Sequence, residues 1–331
     1  MNDLHCPFAA PPAIGATREV APGLQWLRMP LPFALDHVNL WLIEEGEAWA
    51  AVDAGIALDP VKAAWREILA QRRLARLIVT HYHPDHLGLA AWLGAPLWIA
   101  PAEYHAARAT IEQSEGHTVS GMLDFFARHG LDAARLALLA ELGHAYARGV
   151  PALPEAFTPL SEGEVLRLGA HEWRIILGHG HSPAHACLYS EALGILIAGD
   201  MLLPRISTNV SLLYGENGDP LGQFLASLER LAMLPADTLV LPSHGLPFYG
   251  LHARIRQLQA HHDARCAALV AACAKAPATA AELLPVLFQR EIADPHQLRF
   301  AMGEAIAHLV HLERRGAIER RIEGSLVRFA A

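Results

Sequence analysis

Three imidazoles and a carboxylate are packed into the six residues His81-Tyr82-His83-Pro84-Asp85-His86, directly after the apolar run Leu74 to Thr80. Imidazole and carboxylate are ligands for zinc or iron at about 2.0 to 2.2 Å, so donors that serve one ion must converge on a point. On an extended backbone, residues two apart project to the same side, and His81 and His83 are therefore expected to share an ion. Pro84 suits the first turn of a helix starting near Asp85, which would aim Asp85 and His86 at a second ion nearby. The bland alternative is a polar loop that happens to be rich in histidine.

Three further apolar runs end in a possible ligand. Trp173 to Leu177 precedes Gly178-His179-Gly180-His181, Ile195 to Ala198 precedes Gly199-Asp200, and Thr238 to Leu241 precedes Pro242-Ser243-His244. Each reads as a buried strand with a donor just past its end. The donors are too far apart in sequence for one helix or loop to supply them all. An α/β scaffold that alternates strand and ligand-bearing loop gathers such positions along one sheet edge.

The run Thr-His-Tyr-His-Pro-Asp-His-Leu-Gly resembles the His-x-His-x-Asp-His signature of the metallo-β-lactamase superfamily. Gly-His-Ser-Pro-Ala-His at 180 to 185, Ala-Gly-Asp at 198 to 200 and Pro-Ser-His-Gly at 242 to 245 resemble that superfamily's remaining metal motifs, in the same order. The likeness covers about residues 17 to 258. It implies an αββα sandwich: two mixed β-sheets face to face, helices outside, metals at one sheet edge. It also implies that His81, His83 and His181 hold a first metal, that Asp85, His86 and His244 hold a second, and that Asp200 bridges them. Asp53, in Val52-Asp53-Ala54-Gly55, matches a family carboxylate that braces the histidine loop from behind the ligands; the alternative is an ordinary turn aspartate. Flavodiiron proteins carry Glu where His83 stands, and classical β-lactamases of the superfamily replace one or more of these donors, often with Cys. Here all seven positions carry the hydrolase set. Cys187 reads as a small core residue.

A chain of 331 residues with 53% hydrophobic content can build a sizeable core and is comfortable for two domains. Its formal net charge of -8 provides no global attraction to nucleic acid or an anionic membrane. No stretch approaches the roughly 20 uninterrupted apolar residues of a membrane span, and Met1 to Ala10 lacks the basic start and apolar segment of a secretion signal. Cys6, Cys187, Cys266 and Cys273 form no Cys-x-x-Cys pairing, which fits a reducing cytoplasm. There are 20 histidines, far more than the proposed ligands. His5, His105, His117, His129, His144, His171, His261, His262, His308 and His311 are assigned by default to the surface or to helices.

Strands are expected at Leu24 to Met29, His37 to Glu44 and Ala48 to Asp53, then a helix from Pro60 to Arg72 with Asp59 placed to cap it. From Pro101 to about Pro159 apolar positions recur at three- and four-residue steps, which predicts a helical insert in the first domain. The insert is expected either to arch over the metals or to pack on the sheet flank. Another helix runs from Asp219-Pro220 to about Leu234, with Leu221, Phe224, Leu228 and Leu231 facing inward.

After His244 the character changes. Helices are predicted over Leu251 to Lys275 and Thr279 to Phe288, and a third from Asp294-Pro295 to Arg315, ended by Gly316. The alternation from Ala317 to Ala330, broken by Glu323-Gly324-Ser325, predicts a hairpin. This tail, 259–331, resembles the winged-helix domain of one hydrolase subgroup of the superfamily, which leaves 1–258 as the catalytic domain. From 263 to 331 nine Lys or Arg face eight acids, too even a balance for a dedicated duplex binder. Packing or a homodimer is favoured over nucleic acid.

The reading is metal-assisted hydrolysis. Two divalent ions, zinc first and iron or manganese as alternatives, would share a hydroxide at neutral pH, polarise the scissile oxygen and leave Asp85 to shuttle a proton. Glyoxalase II-like motif spacing points to a thioester or related acyl ester as substrate. A metal-dependent ribonuclease, an iron-dependent persulfide dioxygenase and a non-catalytic regulator are the competing readings.

Overall fold

A computed structural model of the chain describes residues 4–114, 116–289 and 291–331. Met1, Asn2, Asp3, Glu115 and Arg290, the last being one of the nine cations counted above, lie outside the described residues. The chain forms two compact units: Met1–Ile111 with Tyr146–Thr208 and Leu228–Ile255, and Glu112–Ala145 with Asn209–Ser227 and Arg256–Ala331. Residues 112–145 and 209–227 thus group with the C-terminal residues, where the sequential reading drew one boundary at 258.

The first unit holds two sheets. One has seven strands in chain order: β1 (Thr17–Ala21), β2 (Leu24–Pro30), β3 (His37–Glu45), β4 (Ala48–Val52), β5 (Leu74–Val79), β6 (Leu97–Ile99) and β7 (Phe157–Pro159). Its first four strands pair antiparallel and the last four parallel. The second, ordered β12-β11-β10-β9-β8, contains β8 (Val165–Leu168), β9 (His171–Gly178), β10 (His185–Ser190), β11 (Ile195–Gly199) and β12 (Leu239–Pro242). Only β11 and β12 pair parallel there, so both sheets are mixed.

Parallel neighbours need long crossovers, and helices fill them. α1 (Asp59–Leu69) joins β4 to β5; α2 (Pro84–Leu87) and α3 (Ala90–Leu93) join β5 to β6; α4 (Pro101–Glu112), α5 (Val119–Arg128), α6 (Ala133–Leu142) and α7 (Ala145–Gly149) join β6 to β7. α8 (Pro220–Leu231) lies between β11 and β12, with Leu221, Phe224, Leu228 and Leu231 all buried. Leu58 takes the N-cap position of α1 without a side-chain hydrogen bond, so Asp59 does not cap that helix. Pro60 fixes the first turn, and Asp59 sits inside it, where its charge still meets the positive end of the helix dipole.

The period of two explains why the central strands read as unbroken apolar runs. In β3, Val38, Leu40 and Leu42 join the core shared with Val61, Trp65 and Ile68 of α1, while Trp41 and Ile43 point the other way. β5 divides likewise, Leu77 and Val79 against Ile78. The second set meets Leu166, Trp173, Ile175, Leu188 and Ile197 of the other sheet in one cluster, which makes the sheets a sandwich. Trp173 is fully buried there. Trp173→Ala is expected to cost about 3–5 kcal/mol, seen as a lower urea midpoint by far-UV circular dichroism.

The second unit is helical with a small hairpin. α9 (Leu251–Cys273) runs into it from the first unit, followed by α10 (Ala280–Phe288), α11 (Pro295–Arg314), β13 (Glu319–Glu323) and β14 (Leu326–Ala330). Side-chain caps start its helices: Thr118 for α5, Asp132 for α6, Thr279 with Glu282 as a capping box for α10, and Asp294 for α11. Every residue from Ala301 to Leu312 is buried, so α11 is the central helix, packed among Phe126, Leu139, Leu269, Leu284 and Phe329.

Four histidines assigned by default to the surface or to helices prove buried: His129, His262, His308 and His311. Burial is tolerated because each finds a partner. His129 Nδ1 donates to the Phe125 carbonyl and His308 Nδ1 to the Glu304 carbonyl, both at 2.8 Å. His262 Nδ1 lies 3.0 Å from His308 Nε2, and His311 Nδ1 lies 2.9 Å from Asp219. Among the described residues no helix is long and apolar enough to cross a membrane.

Candidate metal centre

Each candidate donor follows the end of a strand. β5 leads into His81 to His86, the β9–β10 connection carries His181, β11 leads to Asp200, and β12 leads to His244. Pro84 opens α2 at its first turn, so the backbone changes from extended at His83 to helical within one residue. That change sends the two halves of the motif in different directions.

The structure brings all seven donors together in two groups. His81, His83, His181 and Asp200 form one, and Asp85, His86 and His244 the other, with the donor atoms of each group within 4.8 Å of one another. Asp200 faces both. Its Oδ2 lies 3.4 Å from His181 Nε2, 3.9 Å from His81 Nε2 and 3.7 Å from His86 Nε2, and its Oδ1 lies 3.4 Å from His244 Nε2.

These residues fit divalent metal. Two donors bound tetrahedrally at zinc distances stand roughly 3.4 Å apart, and His244 Nε2 lies 3.4 Å from Asp85 Oδ2. His86 Nε2 and Asp200 Oδ1 are buried and make no well-directed hydrogen bond, the condition expected of atoms built to meet an ion.

Hydrogen bonds behind the donors fix which nitrogen faces the centre. Asp53 Oδ2 takes His86 Nδ1 at 2.7 Å, and Oδ1 accepts the Thr80 amide at 2.7 Å. The Thr80 hydroxyl donates to Asp53 at 2.9 Å and accepts from His81 Nδ1 at 3.1 Å. His244 Nδ1 donates to the His37 carbonyl at 2.8 Å. His81, His86 and His244 therefore all present Nε2. Asp53 holds this position with φ 68, a left-handed conformation that aspartate accepts better than most residues.

Charge around the centre is strongly coupled. Burial opposes charge on His86, but Asp85, Asp53 and Asp200 outweigh it and hold the imidazole well above its ordinary pKa. His244 goes the same way, to about 10, because Asp200 and Asp85 override its burial. Burial and the neighbouring histidines push His81 well down, and burial with His181 takes His83 to about 3. Burial would raise Asp85 and Asp200, yet the facing histidines hold both carboxyls below the usual carboxylate range. His81 and His83 are thus poised as neutral imidazoles, ready as ligands.

Two supporting residues escaped the sequence reading. His185 is fully buried; its Nε2 accepts the Asp200 amide at 3.0 Å and its ring lies 4.8 Å from that of His81. Gly199 makes room for it, since a Cβ there would stand 2.3 Å from the His185 ring. The available signal was a second histidine in Gly-His-Ser-Pro-Ala-His, opening a wholly buried strand. His37 is the other: besides its carbonyl contact with His244, its Nε2 accepts the Gly245 amide at 2.9 Å. Nothing in its sequence neighbourhood distinguishes it from a surface strand start.

Comparison with known proteins agrees with this geometry. Residues 34–244 match the family model described as "Metallo-beta-lactamase superfamily", and 266–331 match "Metallo-beta-lactamase-like, C-terminal domain". The chain is 27% identical to the probable metallo-hydrolase YqjP of Bacillus subtilis, over 92% of this chain and 96% of that one. It is 31% identical to a hydroxyacylglutathione hydrolase of Acidiphilium cryptum, over 81% and 88% respectively. The crystal structure of a beta-lactamase domain protein from Burkholderia ambifaria superposes with a TM-score of 0.91 at 44% identity, covering 99% of this chain and 98% of that one. The chain belongs to the metallo-beta-lactamase superfamily and, with it, to the metal-dependent hydrolases.

Proposed function

We propose that the protein hydrolyses a thioester or related acyl ester at two divalent ions, zinc foremost, one held by His81, His83 and His181, the other by Asp85, His86 and His244, with Asp200 shared. The observation that carries this reading is the position of Asp200, whose two oxygens face histidines of both groups. When bound, such ions supply a nucleophile at neutral pH and stabilise charge developing on the scissile oxygen.

The chain's own groups account for the rest. His83 and His81 are neutral donors, and with His181 they pack against one another, His81 Nε2 lying 2.9 Å from His83 Nδ1 and 3.1 Å from His181 Nε2. Asp85 directs Oδ2 at His86 and His244, 3.5 and 3.4 Å away, and its side chain is 21% exposed against 11% for Asp200. Its Oδ1 is the position for taking a proton from the nucleophile and returning it to the leaving group. Asp53 and Thr80 keep His86 and His81 in the tautomer that faces the centre.

The thioester class rests on the relatives named hydroxyacylglutathione hydrolase, from Acidiphilium cryptum and other bacteria. Zinc-reconstituted protein assayed on thioesters, lactones and single-stranded RNA is expected to turn over thioesters fastest, with Asp85→Asn at least about a hundredfold slower. RNA cleavage exceeding thioester hydrolysis, or an Asp85→Asn variant of undiminished rate, overturns the assignment.

A further inference from the structure

Glu103, near the start of α4, is fully buried. Its Oε2 accepts the Tyr82 amide at 2.9 Å, and its Oε1 accepts the Ser182 hydroxyl at 2.7 Å and the Ala184 amide at 2.5 Å. Among the described residues no Lys or Arg forms an ion pair with it. A buried carboxylate without a cation costs stability, and an apolar side chain would fill the same place more cheaply. What an apolar side chain cannot do is accept three hydrogen bonds from two different loops.

Those loops carry the first donor group. Tyr82 lies between His81 and His83, and Ser182 follows His181. The Tyr82 peptide is held at both ends, since its carbonyl accepts the Tyr146 hydroxyl at 2.6 Å. The Asp200 and His244 loops make none of these contacts; they are anchored instead through His185 and His37. We propose that Glu103 is a positioning residue that clamps the 81–83 loop to the 181–184 loop and thereby sets the affinity of the His81, His83 and His181 group for its ion. This rests on the two-ion reading above.

Gln in place of Glu103 preserves shape but not chemistry. Whichever way the amide is turned, one of its N–H groups confronts a backbone N–H, either that of Tyr82 or that of Ala184. The clamp therefore opens on one side while the helix and its packing remain.

The test is titration of metal-stripped, full-length wild type and Glu103→Gln with Zn2+ against a chromophoric chelator, alongside visible absorption of the Co2+-loaded proteins. Glu103→Gln is expected to weaken one ion tenfold to a hundredfold, as loss of a supporting partner does, and to leave the other within about twofold, with an altered Co2+ spectrum. Unchanged constants for both ions in folded variant overturn the proposal. So does an equal weakening of both that tracks a lower melting temperature, which is what a merely structural role produces. If Glu103→Gln does not fold, Ser182→Ala removes one of the three donors and should weaken the same ion by a smaller factor; no change there also overturns it. Wild type that takes up a single ion counts against the two-ion reading, while the ratio of variant to wild-type affinity for that ion still judges Glu103.

Discussion

Asp200→Asn is expected to lose both divalent ions and at least about a thousandfold in kcat/KM, the upper end of what removing one charge-stabilising group costs. Among the described residues no other side chain faces both donor groups with separate oxygens. The amide is isosteric, but it carries no charge and offers one acceptor, so one group meets an N–H donor where it needs a lone pair. The loop itself should persist, because its anchors are backbone groups: the Asp200 amide donates to His185 and the Asp200 carbonyl accepts the Thr208 hydroxyl at 2.5 Å. Elemental analysis and kinetics on the same preparation check this. A folded variant with two ions and wild-type turnover would falsify the bridging role.

Mild acid should destabilise the second unit. Burial lowers His308 to about 4 and His129 to about 4, and pushes His262 down further still. The direction follows from proton counting. Above the ordinary imidazole pKa of about 6.5 neither native nor unfolded chain binds the proton, so these groups contribute nothing. Between about 6.5 and 4 the unfolded chain binds protons that the native state refuses, and stability falls as pH falls, by up to roughly 1.4 kcal/mol per pH unit for each such histidine. Below the native values both states are charged and the loss levels off.

The surroundings of His308 reinforce this. The Arg265 guanidinium, His261 and His311 all disfavour a positive charge there. Glu304, also facing it, is itself raised by burial and ion-paired to Arg265. The Glu304 carbonyl can only accept, so Nδ1 of neutral His308 carries the proton, Nε2 accepts from His262 Nδ1, and the pair has no place for another charge. All seven tryptophans (Trp26, Trp41, Trp49, Trp65, Trp92, Trp98 and Trp173) belong to the first unit, so their emission reports that unit alone while far-UV circular dichroism reports both. Lowering the pH from 7 to 5 should move the dichroism transition of the second unit to lower urea. A second-unit midpoint that does not fall between pH 7 and pH 5 contradicts the argument.

The metal motifs were legible because ligand chemistry restricts the residue types. Few reasons other than an ion place three histidines and an aspartate in six residues, and each later donor announces itself by ending an apolar strand. The strands were legible for a related reason: stretches buried on both faces are apolar, as β11 is throughout, β3 from Leu40 to Ile43 and β5 from Leu77 to Val79. Helices after His244 were readable from capping residues such as Thr279 and Asp294 and from the Asp294-Pro295 pair.

What composition and spacing could not convey is how distant segments associate. An α5–α6 pair in the middle of the chain shows helical periodicity whether it covers a metal site or joins a C-terminal core; only the complementarity of surfaces such as those around Phe126 and Leu139 decides. The same holds for single polar residues. His129, His185, His308 and Glu103 look like surface residues, because imidazole and carboxylate ordinarily avoid burial. Their burial depends on one donor or acceptor arriving from elsewhere in the fold, and that meeting is written in tertiary geometry rather than in local pattern. Residue type thus determined by itself what chemistry the chain performs, and the three-dimensional arrangement alone decided which groups hold the donors in place, since hydrogen-bond satisfaction is a property of neighbours in space.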